Sequence, residues 1–427
     1  MAEHADSSTA LGQMGERSGR GGSLYFRIAW RNLWRNKRRT WLTAGGIAFA
    51  IFLVSLGMSF QVGSYASMIN NATSMYLGQM QISHRDYVED EKLENTLLGA
   101  TELQRRLNAT FDIAIAPRAQ AFALVSVGER SFGGLTVGVD FAAEKQVVNF
   151  FRNVNQGELP SSADEVLIGA TLARNLGAQL GDELVVLGTA KEGGVAALAL
   201  TISGTFESGQ AELDRTLLFT ALETVQNGFE LGDELHQFVI RVKDLDRLAQ
   251  VKAALQSSDI LGDGLVVRTW PEYLPELVQS IELDRISAQL MYGVILILVT
   301  FSVVNTFLMV VFERTREFGM LLAVGMRPTA IMSQVLIEAA LMWLIGVLIG
   351  LSLTVGIVGY YAQVGLSIAG MEELSAQFYM DPRIYPGLSA DIFLLAPLVL
   401  LVGTQFAALF ATVRVRRLDP VVALRAN

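Results

Sequence analysis

The sequence ERTREFGMLLAVGMRP, residues 313–328, follows a stretch from Ile286 to Phe312 that contains no charged residue. Its first five residues carry four charges, and the segment continues through an apolar turn bounded by glycines to Pro328. Because a helix needs about 20 apolar residues to cross the ~30 Å hydrocarbon core of a bilayer, the uncharged stretch predicts a membrane span. Residues 313–328 are then predicted to form a short helical segment in the loop that follows this span.

Three further stretches are long and apolar enough to be membrane spans. Uninterrupted apolar runs longer than about 18 residues are typical of transmembrane helices. The composition, with 51% hydrophobic and 18% charged residues, fits a chain that lies partly in a membrane and partly in water. The four predicted spans are TM1 at 41–65, TM2 at 286–312, TM3 at 329–360 and TM4 at 391–413.

The charge is distributed unevenly along the chain. Residues 66–285 carry 17 Lys and Arg against 31 Asp and Glu, a net charge of −14, and since the whole chain carries −9 the remainder is +5. By the positive-inside rule, the N-terminus, the 313–328 loop and a 414–427 tail are predicted to be cytoplasmic, and 66–285 and a 361–390 loop to be extracytoplasmic. An acidic block of this kind lacks the basic face that nucleic-acid binding requires, so no nucleic-acid partner is expected.

The segment 66–285 is long enough to form one or two folded domains, of mixed α/β or α+β type. The stretch IAIAPRAQAFALVSVGERSFGGLTVGVD, from residue 113, alternates polar and apolar residues as strands do. The stretch EVLIGATLARNLGAQLGDELVVLG, from residue 165, has the pattern of a strand, a helix, a turn and a strand. The predicted fold class is therefore a membrane protein of four transmembrane α-helices, with a large mixed α/β extracytoplasmic domain between spans 1 and 2.

The region before TM1 has two parts. Residues 1–23 are rich in Gly and Ser and lack apolar periodicity, which predicts a disordered N-terminus. Residues 24–40 predict an amphipathic helix in the membrane interface, with indoles at headgroup level and guanidinium groups on anionic lipid. A surface for a partner protein is the alternative interpretation. The predicted interface residues are Arg27, Trp30, Arg31, Trp34, Arg35 and Arg38.

Signatures of catalysis and of metal binding are missing from the sequence. There is no G-x-x-x-x-G-K-[ST] motif to bind nucleotide phosphates, and no H-E-x-x-H motif to bind zinc. The three histidines, His4, His84 and His236, are isolated from one another in sequence. We therefore predict no catalytic residue, no metal site and no cofactor bound by this chain, which is not expected to be an enzyme by itself.

Glu338 is the one acidic residue within TM3. An ionisable residue in a span is by default a candidate functional site, but the other spans offer no acid, Lys or His to pair with it. This favours a structural or coupling role over an ion-transport role. Gly346 and Gly350 form a G-x-x-x-G motif, which lets two helices approach closely.

Four features together resemble the FtsX/MacB/LolC-LolE class of ABC transporter permeases. They are the basic segment IAWRNLWRNKRRTWLT before TM1, the 313–328 segment followed by LIEAALMWLIGVLIG, the ending RVRRLDPVVALRAN, and the order of one span, a large external domain and three spans. The external domain is most similar to that of the lipoprotein-releasing permeases LolC and LolE, through the stretch from residue 165 and through TISGTFESGQAELDRTLLFT from residue 201.

The resemblance implies a multi-pass permease subunit in the bacterial inner membrane, with a periplasmic domain at 66–285. It implies a dimer with a second copy or a paralogue, two copies of a separate cytoplasmic ATPase that binds ATP and magnesium, and contact with membrane lipid. It also implies extraction or export of lipoprotein or another lipophilic substrate. Two alternatives stay open: an FtsX-like signalling scaffold that activates a cell-envelope hydrolase, and a MacB-like permease for drug or peptide efflux.

In this class the 313–328 segment is implied to be the cytoplasmic coupling helix that meets the ATPase. Glu313 and Arg316 are i, i+3 neighbours on a helix, and Phe318, Leu321 and Leu322 fall on one apolar side of it. The alternative is an ordinary cytoplasmic loop with positive-inside charges. The predicted coupling residues are Glu313, Arg314, Arg316, Glu317, Phe318, Gly319 and Gly325.

Overall fold

The structure, a computed structural model, describes residues 26–152, 154–367 and 383–413. These fall into two compact units. The membrane unit comprises Met1–Ser64, Glu282–Leu366 and Ile384–Asn427, and the outer domain comprises Tyr65–Ile281 and Ser367–Arg383. The predicted disordered N-terminus (1–23), the predicted tail (414–427) and half of the predicted 361–390 loop lie outside the described residues.

Within the described ranges, four helices are long and apolar enough to cross a membrane, as the sequence predicts. The helices of TM1 to TM3 extend beyond the predicted spans, because hydropathy marks where the apolar stretch ends and a helix continues until its backbone is capped or broken. Pro328, for example, lies in the first turn of TM3, where its missing N–H costs no hydrogen bond. The helices are TM1 at Lys37–Ala72, TM2 at Pro275–Glu313, TM3 at Pro328–Val364 and TM4 at Ala390–Val413.

Two short helices accompany the spans. The predicted 24–40 helix is two elements, because an elbow helix over residues 26–35 ends in a turn at Asn36 and TM1 starts at Lys37. The Thr40 hydroxyl donates to the Leu33 carbonyl at 2.7 Å and so satisfies one backbone group at this break. The loop helix, Thr315–Ala323, lies between TM2 and TM3.

TM1 and TM3 pack closely at the G-x-x-x-G motif. A Cβ atom added at Gly346 would lie 2.6 Å from Cγ2 of Ile47, and one added at Gly350 would lie 2.6 Å from the carbonyl oxygen of Ala48. Any larger side chain at either position would therefore push TM1 away. The motif serves packing within one chain.

The described residues of the outer domain form ten strands in one sheet, and six of these strands close into a barrel. The closed order is β2–β3–β8–β5–β7–β6 and back to β2. β9, β1 and β10 continue the sheet from the first part of β2, and β4 pairs with the end of β7. The strands are β1 Met80–His84, β2 Ala114–Val127, β3 Arg130–Val139, β4 Val154–Gly157, β5 Glu165–Gly169, β6 Glu183–Thr189, β7 Val195–Phe206, β8 Leu217–Ala221, β9 Gln237–Arg241 and β10 Leu265–Thr269. Two further strands, Leu366–Ser367 and Arg383–Ile384, pair with each other.

In the described part of the outer domain, eight short α-helices surround the sheet, and two hydrophobic clusters form the core. Alternate side chains of β5 enter different clusters, since Val166 and Ile168 belong to one and Leu167 to the other. The second cluster is rich in aromatic rings. The helices are α1 Arg85–Glu89, α2 Ala100–Thr110, α3 Phe141–Val147, α4 Ala170–Leu176, α5 Ala211–Thr216, α6 Leu222–Gly228, α7 Leu248–Gln256 and α8 Trp270–Tyr273.

Candidate functional site

A cluster of alternating charges joins the elbow helix, TM1, TM2, the loop helix and TM3. Arg314, which directly precedes the loop helix, is at its centre. Its Nη1 donates to both carboxylate oxygens of Glu338, at 3.1 and 3.2 Å, and its Nε donates to Glu317 at 3.0 Å. The charge cluster consists of Asn32, Arg35, Arg39, Glu313, Arg314, Glu317, Gln334 and Glu338.

Glu338 is almost completely buried, with 2% of its surface exposed. Besides Arg314, it accepts hydrogen bonds from Asn32 Nδ2 at 2.8 Å and from Gln334 Nε2 at 3.4 Å. A buried carboxylate is tolerated only when a cation and hydrogen-bond donors replace its lost hydration. No partner for Glu338 was predicted from the acids, Lys and His of the other spans, because its partner is an arginine just beyond the end of TM2.

Two more exposed ion pairs extend the charge cluster to the elbow helix and to the start of TM1. Arg35 Nη2 lies 2.6 Å from Glu317 Oε1, and Arg39 Nη1 lies 2.9 Å from Glu313 Oε2. Although partial burial alone would raise the pKa of Glu317, hydrogen bonds from Arg314 and Arg35 lower that pKa below its usual value. Glu317 therefore stays ionised at neutral pH and is shared by two arginines.

The loop helix has two different faces. Phe318 and Gly319 are buried in the membrane unit, and the Arg314 guanidinium lies 5.2 Å from the centre of the Phe318 ring. On the other face, Met320, Leu321 and Val324 are 55%, 37% and 87% exposed. The helix is thus attached by one face and presents an apolar second face.

The elbow helix is also two-faced. Ala29 and Leu33 are buried in the core of the membrane unit. A row of exposed tryptophans faces away from this core, with ring centres 5.9 Å apart for Trp30 and Trp34 and 6.4 Å apart for Trp34 and Trp41. Arg27, Arg31, Arg35 and Arg38 are exposed beside this row.

Two protein families match this chain. Residues 40–258 match the family described as MacB-like periplasmic core domain, which covers more than half of the chain. Residues 290–420 match the family described as FtsX-like permease C-terminal. The chain belongs to the FtsX/MacB permease family. The resemblance seen in the sequence is therefore confirmed, and so is the fold class of four spans with a mixed α/β periplasmic domain between the first two.

Individual relatives place the chain among ABC transporter permeases of the LolC/MacB type in the bacterial inner membrane. It is 22% identical over 396 residues to the lipoprotein-releasing system transmembrane protein LolC of Neisseria meningitidis, with 89% of this chain and 91% of that one covered. It is 25% identical over 243 residues to LolC of Xylella fastidiosa, covering 55% and 58%. It is 27% identical over 428 residues to the macrolide export ATP-binding/permease protein MacB of Rhodospirillum rubrum, covering 94% and 60%. It thus spans most of the first relative and less than two thirds of the other two.

Some of the predicted coupling residues of this permease meet in the charge cluster and others do not. Glu313, Arg314 and Glu317 are in it, and Phe318 and Gly319 pack beneath it. Arg316 is exposed outside the cluster, and Gly325 follows the loop helix with a φ of +95°, a left-handed conformation that favours glycine. The coupling roles of all these residues stay predictions.

Several members of the site were not predicted as coupling residues: Asn32 and Arg39 were not named, and Arg35 was predicted only as a membrane-interface residue. These three residues recur at i, i+3 and i+7, a spacing that predicts a polar stripe on an unbroken helix, but the turn at residue 36 interrupts this one. Met320 and Val324 recur at i, i+4, which would have predicted the second apolar face. Among the described residues, no group of three or more His, Asp or Glu is placed to hold a metal ion.

Proposed function

We propose that this permease couples ATP hydrolysis by a separate cytoplasmic ATPase to conformational change in its periplasmic domain. The charge cluster is the observation that carries this proposal. Because the ion pairs of Arg314 and Glu317 tie the loop helix to the elbow helix and to TM3, a force on the loop helix acts on several elements at once. A separate ATPase is the proposed source of energy because the given sequence carries no phosphate-binding loop of its own.

The exposed apolar face of the loop helix is the proposed docking surface for the ATPase. Met320, Leu321 and Val324 would enter an apolar groove, as amphipathic helices do in helix-in-groove recognition. Two ATPase copies, one for each membrane subunit of a dimer, would bind the ATP and magnesium. This arrangement requires a cytoplasmic loop helix, and the positive-inside rule then places both termini in the cytoplasm.

The elbow helix is proposed to lie on the cytoplasmic leaflet. Trp30 and Trp34 provide the amphipathic rings that favour the headgroup level, and Arg27, Arg31 and Arg38 provide charge for anionic lipid. Its attachment to Glu317 through Arg35 makes the membrane surface one support of the coupling site.

The proposed substrate is a lipoprotein or another lipophilic molecule of the envelope. The LolC relatives are named as parts of a lipoprotein-releasing system, and one of them is covered over 91% of its length. A MacB-like function in efflux is the second candidate, because the periplasmic core matches the MacB-like family and a relative is named for macrolide export. A triacylated lipopeptide should stimulate the ATPase of the reconstituted complex in the first case and a macrolide in the second.

Substitutions in the loop helix and in the turn that follows it test the coupling proposal. In proteoliposomes with the ATPase, Glu317→Lys and Gly325→Trp should each abolish substrate-stimulated ATP hydrolysis and leave membrane insertion intact. Glu212→Lys, a charge reversal at an exposed ion pair of the outer domain, is the matched control and should keep the stimulation. Unchanged stimulation in the Glu317→Lys complex would refute the coupling role.

The chain without its ATPase should hydrolyse no ATP. Purified permease, freed of contaminating ATPases, is the sample for this measurement. Turnover that persists through purification would contradict the assignment of ATP binding to a separate subunit.

A further inference from the structure

The outer domain contains a cavity that the coupling site does not use. It lies between the segment that follows α1 and the strands β2 and β3, and its volume is about 580 Å³. Pockets that bind small molecules usually have volumes of about 300–1,000 Å³, so the cavity is large enough for such a ligand. The side chains that give the cavity its chemical character are Tyr87, Glu91, Glu94, Gln120, Phe122 and Leu135.

The floor of the cavity is polar and held in place by hydrogen bonds. Tyr87 and Gln120 are 5% and 8% exposed, and the Tyr87 hydroxyl donates to Gln120 Oε1 at 2.7 Å. Gln120 Nε2 donates in turn to the Tyr76 hydroxyl at 3.2 Å. Burial, and after it the negative charge of Glu91, raise the pKa of the Tyr87 phenol, which therefore stays protonated at neutral pH. Because these bonds fix both side chains, the floor keeps its polar groups in one orientation.

An aromatic ring lies at the rim of the cavity. Phe122 is 73% exposed, although it belongs to a central strand of the sheet. A Cβ atom added at Gly133 would lie 2.9 Å from Phe122 Cζ, so the ring packs over the bare backbone of β3 at this glycine. Leu135, the cross-strand partner of Phe122, is half-buried beside it. The cavity thus offers apolar surface and the face of an aromatic ring to a ligand.

The same rim is negatively charged. Glu91 and Glu94 line the cavity, and both are exposed. Among the residues that the structure describes, neither of these two side chains forms an ion pair, and Lys92, which lies between them in sequence, pairs with Asp90 at 2.6 Å. Carboxylates at the mouth of a cavity with low-dielectric walls raise the local concentration of cations. The net charge of −14 on residues 66–285 acts in the same direction.

We propose that this cavity binds a small organic cation with an apolar body. The cationic group lies between Glu91 and Glu94, and the apolar body lies on Phe122, whose ring face also attracts positive charge. An anion is repelled by the two carboxylates, and an uncharged apolar molecule gains nothing from them. The cavity lies wholly in the outer domain, so binding there is independent of the ATPase and of the coupling residues.

Two probes with the same apolar body and opposite charges test this site. The full chain is placed in nanodiscs of zwitterionic phosphatidylcholine, and binding is measured by saturation-transfer NMR, with empty nanodiscs as the correction for partition into lipid. Phenethylammonium should bind saturably, and hydrocinnamate, which carries a carboxylate on the same phenylethyl body, should not. Equal binding of both probes, or no saturable binding of phenethylammonium, would overturn the proposal.

Substitutions at the rim locate the bound cation. The double variant Glu91→Gln with Glu94→Gln should raise the dissociation constant of phenethylammonium ~3- to 30-fold, as the loss of two partly solvated charge contacts does. Phe122→Ala should raise it ~2- to 5-fold. These three side chains are exposed, so their replacement leaves the fold intact. The double variant Glu129→Gln with Glu158→Gln removes the same charge at exposed positions outside the cavity and should leave the dissociation constant unchanged.

The two double variants together separate a local contact from the net charge of the domain. An equal loss of affinity in both, or an unchanged dissociation constant in the rim variant, would contradict binding of the cation at this rim. These measurements need no ATPase, so they fail independently of the Glu317→Lys test.

Discussion

Two Arg–Glu arrangements in this permease differ in how their charges are shared. In the outer domain, Arg118 and Glu144 form a bidentate pair at 2.6 and 2.9 Å with both side chains buried, and the Tyr76 ring lies 4.3 Å from the guanidinium. In the membrane unit, Arg314 divides its hydrogen bonds between two glutamates, and Glu317 accepts from two arginines. The first is a closed pair and the second is an open chain of charges.

The difference indicates different mechanical roles. The closed pair has one low-energy arrangement, since either partner alone would be a buried uncompensated charge. In the charge cluster, Glu317 is partly exposed and can keep one arginine while it releases the other. We therefore expect the outer domain to move as a rigid body and the charge cluster to act as the joint that rearranges.

Breaking the closed pair should have the largest effect. Glu144→Gln leaves Arg118 buried without a counter-charge and should destabilise the outer domain by about 3–5 kcal/mol. Hydrogen exchange of the β2 and β3 peptides in the full chain measures this change. Asp112→Asn, which breaks the exposed pair with Lys243, is the control and should leave the exchange rates unchanged. Unchanged exchange in Glu144→Gln would show that the pair does not hold the domain.

The stability of the outer domain should depend on pH through His236. Its Nδ1 accepts from the Gln120 N–H at 2.9 Å and its Nε2 donates to the Leu93 carbonyl at 3.2 Å, while burial lowers its pKa to about 4. Because the unfolded histidine titrates near pH ~6.5, the unfolded state binds more protons between these values. The contribution of His236 to the free energy of unfolding should be fully present above pH ~6.5. It should fall by up to about 3 kcal/mol as the pH decreases to 4.

The variant His236→Gln isolates this contribution from that of the carboxylates. Hydrogen exchange of the same β2 peptides at several pH values gives the free energy of unfolding as a function of pH. The difference between the slopes of wild type and variant is the contribution of the one proton that His236 binds on unfolding. Equal slopes would contradict the assignment of the acid sensitivity to His236.

Removing the buried acid of the open cluster should have an intermediate effect. In Glu338→Gln, Arg314 keeps Glu317 as a counter-charge, so the membrane unit should lose about 1–3 kcal/mol. Thermal unfolding of the full chain in detergent measures this loss. A loss of stability as large as that in Glu144→Gln would show that Glu317 does not compensate the charge of Arg314, so that the cluster behaves like the closed pair of the outer domain.

Breaking the ion pair at the exposed end of the charge cluster should have the smallest effect on stability. Arg35→Ala removes a pair whose side chains are 54% and 40% exposed, which contributes less than about 1 kcal/mol. The same variant should reduce the substrate-stimulated ATPase activity of the complex severalfold, because it separates the elbow helix from the loop helix. Full stimulation in Arg35→Ala would remove the elbow helix from the coupling mechanism.

Local patterns predicted the spans and several strands, while contacts between distant segments escaped prediction. The charge-free stretch before Glu313 identifies TM2 because hydropathy depends only on neighbouring residues. Pairing of β2 with β6, which closes the barrel, depends on residues about 60 positions apart, such as Ser126 and Val185. Apolar spacing identified Phe318 as part of an apolar face, but only the packed helices show that the membrane unit itself covers that residue.

The proposed coupling depends on the exposed face of the loop helix as the docking surface for the ATPase. A photoreactive cross-linker on Val324→Cys tests it directly in the assembled complex, with Leu388→Cys as an exposed control elsewhere in the membrane unit. We predict cross-linking to the ATPase from residue 324 and none from residue 388. No cross-link from residue 324, or an equal yield from both positions, would contradict docking of the ATPase on this face.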